Sequence, residues 1–222
     1  MAFEKARKQM VKNQLARRGV KDKRVLDAMA SVPREAFVDA GLEEFAYEDR
    51  ALPIAEGQTI SQPFIVGAMV QAAQLLPQDR VLEVGAGSGY AAAILSRLAG
   101  EVFAIERHEA LTGKARERCR ALGYANITLK TGDGSTGWPD QAPFDAIVVA
   151  AGGPSPPPAL KCQLKIGGRL VMPVGQADEQ RLLRLRRTGD RAFEEDDLGG
   201  VRFVPLIGAQ GWRVTGSPAP GG

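Results

Sequence analysis

The sequence predicts an α/β fold built on a doubly wound, mostly parallel sheet, and three observations predict it. From residue 80 onward, short apolar runs (80–84, 101–106, 127–131, 144–150) alternate with segments of helical length (89–98, 109–122). Strands separated by helices at this spacing belong to βαβ units and hence to a parallel sheet. A glycine-rich turn, Gly85-Ala86-Gly87-Ser88-Gly89, joins the first of these strands to the first helix. Further on, 180–188 and 201–206 alternate apolar and polar residues in the manner of antiparallel strands, so an antiparallel part follows the parallel one.

The elements follow in order. Residues 3–18 place Met10, Val11 and Leu15 at helical spacing among many charges, which predicts an amphipathic helix. Asp22 is positioned to cap a second helix carrying Val25, Leu26 and Met29 on one face, and Val32-Pro33-Arg34 ends it. Residues 47–57 have no period and contain Pro53 and Gly57, the mark of an ordered irregular segment. Ser61-Gln62-Pro63 starts a third helix with Ile65, Val66, Met69 and Val70 as its apolar stripe. After strand 80–84 and helix 89–98, Gly100 stops the helix; strand 101–106, helix 109–122 and strand 127–131 follow. Strand 144–150 leads to a short helix at Pro158, and Gly167-Gly168 turns the chain into strand 169–174. The closing stretch, Thr215 to Gly222, reads as disordered.

Composition bounds the function. The chain has 222 residues, 44% hydrophobic and 25% charged, enough for one core. The net charge of +3 is small and spread along the chain without a dense basic block, so no nucleic-acid partner is expected. Cys119 and Cys162 are far apart and fit idle thiols in a reducing compartment. The single histidine, His108, excludes a multi-histidine metal site, and no metal is expected. The start of the chain is charged throughout and no apolar run reaches membrane-spanning length. The expectation is a cytoplasmic monomer without a membrane partner.

Several residues could carry chemistry. The turn has the spacing G-x-G-x-G, with Glu83 two residues ahead of Gly85, and Tyr90 stands where a dinucleotide fingerprint needs its third glycine. This variant resembles the first motif of the S-adenosylmethionine (AdoMet) methyltransferases more than the loop of NAD(P) oxidoreductases. Glu106 ends the second strand, 21 positions after Gly85, where a carboxylate can accept from two ribose hydroxyls; the alternative is a solvated acid. Asp133-Gly134 follows the third strand, where Asp can accept from an adenine amino group and glycine allows close approach; the alternative is a plain turn. Two hydroxyls, Thr59 and Ser61, precede the third helix; on the sequence alone Ser61 reads first as its N-cap, with a place beside a reacting methyl as the alternative.

Taken together, these segments resemble the protein-L-isoaspartate (D-aspartate) O-methyltransferase family over roughly residues 10–206. The most specific stretch is Gly57-Gln58-Thr59-Ile60-Ser61-Gln62-Pro63, joined by 81–90, 105–107, 132–134, 144–148, 167–175 and 202–206. The resemblance implies an AdoMet-methyltransferase Rossmann-like fold whose late strands have an altered order. It also implies one domain over 1–210, with a helical cap (1–78), an AdoMet-binding core (79–175) and C-terminal strands (176–210), followed by a flexible tail (211–222). The implied cofactor is AdoMet, held by Thr59, Ile60, Glu83, Gly85, Gly87, Gly89, Glu106, Asp133 and Gly134. The implied catalytic residue is Ser61, and the implied partner is an isoaspartyl peptide or protein bordered by Ile60, Ser61, Val204 and Pro205. The implied reaction is methyl transfer to the α-carboxylate of an isoaspartyl residue, with D-aspartyl as a further acceptor, which begins repair. The departures from the family pattern lie at Ser135 and 150–154. A methyltransferase of the same fold acting on a small molecule or RNA, and a non-catalytic AdoMet-binding domain, are the alternatives.

Overall fold

In the computed structural model the chain is described over residues 2–176 and 178–213. Helix α1 (Ala2–Met10) runs on into a π turn (Val11–Leu15) and a 3-10 turn (Ala16–Arg18), so the helix expected over 3–18 is a composite. The reason lies in its apolar residues. Met10 and Leu15, both almost fully buried, are five apart, and π-type bonding brings residues five apart to one side. Gly19, in the left-handed region, closes the segment. Helix α2 (Lys23–Ser31) is capped as expected: Asp22 accepts from the Arg24 N–H at 2.8 Å.

The segment expected to be irregular, 47–57, contributes one strand and the turn of a small hairpin. Strands β1 (Leu52–Pro53) and β2 (Thr59–Ile60) pair antiparallel, Leu52 opposite Ile60. Each strand has two residues and one contains a proline, too short for periodicity to register. Helix α3 (Pro63–Ala73) follows.

The core alternates β3 (Arg80–Val84), α4 (Tyr90–Ser96), β4 (Glu101–Glu106), α5 (Glu109–Ala121), β5 (Ile127–Thr131), β6 (Phe144–Val149) and α6 (Pro158–Cys162), close to the expected bounds. It ends in β7 (Leu164–Gly175), β8 (Gln180–Arg187) and β9 (Phe193–Val201). The sheet order is β5-β4-β3-β6-β7-β8-β9; the first five strands are parallel and the last two antiparallel. The late strands thus follow one another in chain order. Successive residues of the central strands serve opposite faces: Val81, Val102 and Val148 join the α3–α4–α5 layer, while Leu82, Phe103 and Ile147 join the other. Burial on both faces explains why these strands read as continuous apolar runs.

The late part departs from expectation in three places. Strand β7 begins at Leu164, before Gly167-Gly168, and its pairing with β6 shifts register between Phe144 and Ala146. The last strand is 193–201, whereas 202–206 leaves the sheet. The alternation of 201–206 misleads because the real edge strand is fixed by charge: Asp196 and Asp197 pair with Arg184 and Arg181 of β8, each at 2.8 Å. Residues 211–213, expected to open a flexible tail, are instead tied to the sheet end. Trp212 donates from its main-chain N–H to Leu206 O (2.7 Å) and from its indole to Gly152 O (3.0 Å). The rest of that tail, 214–222, lies outside the described residues.

Candidate active site

Chain order reverses between β3 and its neighbours β4 and β6, and in open α/β sheets ligands lie beyond the carboxyl ends of the strands at such a point. A cleft opens there. It is lined by Thr59, Ile60 and Ser61, by Glu83 and the whole 84–88 turn, by Glu106 and Gly134, and by Val204 to Ile207. Thus Gly85, Gly87, Glu83, Glu106, Gly134, the Thr59–Ser61 triplet and the Val204-Pro205 pair come together as the sequence predicts.

The turn is shaped by its glycines. Gly85, Gly87 and Gly89 have φ of 88°, 52° and 87°, a region that side-chain-bearing residues rarely adopt. Gly89 does not line the cleft; a Cβ there would lie 3.2 Å from Ala115 Cβ, so it lets α5 pack close. The N–H groups of Gly85 and Ala86 donate to Ile105 O at 2.8 and 3.2 Å. Glu106 is buried, and its carboxylate accepts from the Gly87 N–H at 2.9 Å and the His108 N–H at 3.0 Å. Main chain therefore fixes this carboxylate at the lip of the turn, where a solvated acid would be free. The His108 side chain faces Glu56, with Nδ1 3.6 Å from a carboxylate oxygen.

Glu83 is different. It is 1% exposed, and neither carboxylate oxygen has a hydrogen-bond partner in the protein. Burial, with the negative Glu106 beside it, pushes its carboxyl well above the usual range. An unpartnered carboxyl of this kind is costly to a folded chain and fits a cationic group placed against it.

Ser61 is not a helix cap. The N-cap of α3 is Gln62, and its side chain makes no capping bond. Pro63 at the start removes one donor that a cap would serve. The half-buried Ser61 instead lines the cleft at the end of the β1–β2 hairpin. Asp133 sits just outside the cleft lining. Its carboxylate accepts from Ser135 N–H and Oγ at 2.8 and 2.7 Å and from the Ala209 N–H at 2.7 Å. Burial raises its pKa, but the bonds from Ala209 and Ser135 outweigh that and leave it lowered. Gly134 does permit close approach, but of the chain itself: a Cβ there would lie 2.4 Å from Val84 Cγ1.

Sequence reasoning missed Gln58, Arg107 and Ala151 in the lining, and Gln180 behind it. Gln58 and Arg107 lie inside the stretches 57–63 and 105–107 but were given no role there, and Gln180 has no motif to announce it. Among the described residues, no group of three or more His, Cys, Asp or Glu could hold a metal ion, and no helix is long and apolar enough to cross a membrane.

Comparison with known proteins decides the family. The model of the protein-L-isoaspartate(D-aspartate) O-methyltransferase family matches residues 5–211. The chain belongs to this family. Two relatives, both named protein-L-isoaspartate O-methyltransferase, come from Brucella anthropi (55% identical, covering 95% of this chain and 97% of the relative) and Rhodopseudomonas palustris strain HaA2 (57%, covering 99% and 89%). Among solved structures, one protein-L-isoaspartate O-methyltransferase superposes with a TM-score of 0.84 at 29% identity, over 92% of this chain and 67% of the other. A Plasmodium falciparum beta-aspartate methyltransferase, solved in complex with S-adenosyl-L-homocysteine, gives 0.79 at 25%, over 90% and 98%. The fold of this family member is therefore the α/β methyltransferase fold with N-terminal helices and C-terminal antiparallel strands.

Proposed function

We propose that this chain transfers the methyl group of AdoMet to the α-carboxylate of L-isoaspartyl residues in damaged peptides and proteins, the first step of their repair. One observation carries the reading: the Thr59–Ser61 hairpin end, the family's most specific segment, faces the glycine turn and the unpartnered Glu83 across one cleft.

The residues fit AdoMet. Glu83 would hold its ammonium group, Gly85 and Gly87 would let the main chain approach its amino-acid portion, and Glu106 would take the ribose hydroxyls. Asp133 would accept from the adenine amino group with a lone pair left free by Ser135 and Ala209. Bound there, AdoMet supplies an electrophilic methyl carbon on a cationic sulfur, which a carboxylate oxygen takes without any proton moving.

The chain accordingly has no need of a strong base, and its one histidine is engaged with Glu56. Ser61 would donate to the acceptor carboxylate and orient it. Ile60, Val204, Pro205 and Leu206 would exclude water, which favours a reaction that neutralises opposite charges. Orientation of the two reactants contributes up to about 7–11 kcal/mol in favourable cases. The ester would then close to a succinimide without the enzyme, as the neighbouring backbone amide nitrogen attacks the ester carbonyl and methanol leaves, and hydrolysis would return part of it to normal aspartate. Residues 1–210 would act as one unit, a helical cap (1–78) over an AdoMet-binding core (79–175) with C-terminal strands (176–210), as a cytoplasmic monomer. Incubation with labelled AdoMet and an isoaspartyl peptide, beside its aspartyl control, tests the reading. Label on the isoaspartyl peptide alone is expected, and label on neither refutes it.

A further inference from the structure

We propose that Gln180 is a positioning residue for the acceptor wall of the cleft, acting through the main chain of Phe203. The inference rests on the methyl-transfer reading above. Gln180 opens β8, is 2% exposed, and does not line the cleft. Its Oε1 accepts from the Phe203 N–H at 2.9 Å and its Nε2 donates to the Phe203 carbonyl at 3.2 Å. One side-chain amide thus meets both polar groups of one residue, as a neighbouring strand would do inside a sheet. The chain needs such a substitute here, because residues 202–204 have left β9 and belong to no strand.

The next links of the chain transmit the constraint. The Gly152 N–H donates to Val204 O and the Leu206 N–H donates to Gly152 O, both at 2.8 Å. Gly152 also makes room for the amide: a Cβ there would lie 2.5 Å from Gln180 Nε2. Gln180 and Gly152 therefore hold Phe203, Val204 and Leu206, and Val204 to Leu206 line the same cleft as Ser61. The glycine turn is held separately, by the Ile105 carbonyl and the Glu106 carboxylate at the end of β4.

A residue that only supports the fold would lower stability and weaken both ligands together. A positioning residue for this wall would move the acceptor alone. Gln180→Met keeps the length of the side chain and removes the two bonds to Phe203; Gly152→Ala crowds the same amide and leaves Gln180 in place. Each folded variant should raise KM for an isoaspartyl peptide by about tenfold, the scale of lost buried hydrogen bonds, and leave the Kd of AdoMet within about twofold. The double variant should be little worse than either single one, because both act on one clamp.

Unchanged peptide KM in either folded variant overturns the proposal, as does an AdoMet Kd that rises in step with peptide KM. Wild-type protein assayed alongside separates the two readings. If it binds AdoMet but labels no isoaspartyl peptide, the functional reading fails and takes this one with it. If it labels the peptide and the variants match it, only the role of Gln180 fails.

Discussion

On the glycine-turn wall of the cleft, the N–H groups of Gly85, Ala86 and Gly87 all end on Ile105 or Glu106, the last residues of β4. Across the cleft the lining is Val204 to Ile207, and the residues flanking it are tied down: Phe203 by Gln180, Ala209 by Asp133 and Gln210 by Ser135, each through a side chain from a distant part of the sequence. The first wall is an extension of the sheet, set as soon as β3 and β4 pair. The second is a strap laid across the sheet ends and tied down at separate points. The first wall relies on main chain with one side-chain tie, Glu106, while the second adds several side-chain ties to the main-chain bonds of Gly152 and can be loosened one tie at a time.

Substitutions on each wall put that contrast at risk. The largest effect is expected for Gly87→Val. A branched side chain at φ 52° costs roughly 1–2 kcal/mol and projects from the turn that must approach the ligand. Fluorescence titration should find AdoMet binding lost, and normal binding would reduce the run to a tight turn. Next comes Glu106→Ala, which strips the acceptor from Gly87 and His108 as well as from the ribose. AdoMet should weaken by roughly ten- to a hundredfold, on the basis of about 1.5–3 kcal/mol for a charged hydrogen-bond partner. Calorimetry on the folded variant that shows wild-type affinity would remove Glu106 from the site.

Smaller effects are expected across the cleft. Ser61→Asp puts a negative charge beside the acceptor carboxylate and should raise the peptide KM more than Ser61→Ala does. Because Ser61 caps nothing, Ala should keep thermal stability and measurable turnover; an Asp variant as active as wild type would dismiss Ser61 from the reaction. The smallest effect is expected for Asp133→Asn, read as stability against pH. Asp133 has a lowered folded pKa, so its contribution is present above the ordinary aspartate range and disappears as pH falls through the lowered value. Wild type should lose more stability than the variant over that acid window, and parallel acid profiles would mean that Asp133 ties nothing down.

The same contrast explains what could be read from the sequence. The parallel core was legible because its strands are buried on both faces and its glycine turn is a local signal; β4 and β5 fall on the expected residues. Glu106 and the Thr59–Ser61 stretch were legible for the same reason, since each lies next to the element that places it. The strap was not. Val201 to Leu206 alternates like a strand, yet 202–206 leave the sheet, and Gln180 and Gly152, 23 to 54 residues away from their partners there, supply hydrogen bonds in its place. Ser61 looked like a cap because a serine before Pro63 suits one, and only the backbone shows Gln62 in that place. Likewise Asp133-Gly134 reads as a ligand loop, while its carboxylate is also the clasp of Ala209, 76 residues further on.

Glu83 also bears on how long the molecule lasts. A carboxyl held above its ordinary value stabilises the fold at low pH and ceases to do so as pH rises through the raised value, so the ligand-free protein carries this cost toward neutrality. A cation lodged against Glu83 removes it. At a hundredfold excess over Kd, ligand binding adds about 2.7 kcal/mol, worth several degrees in Tm for a chain of this size. We expect S-adenosyl-L-homocysteine, which keeps the ammonium group, to raise Tm, and Glu83→Gln to lose most of that rise. An equal rise in the folded variant would end the argument. Unfolded chains are the ones that proteases remove. The amount of this protein in a cell should therefore follow the supply of its own methyl donor, so that a starved cell loses the protein as well as the reaction.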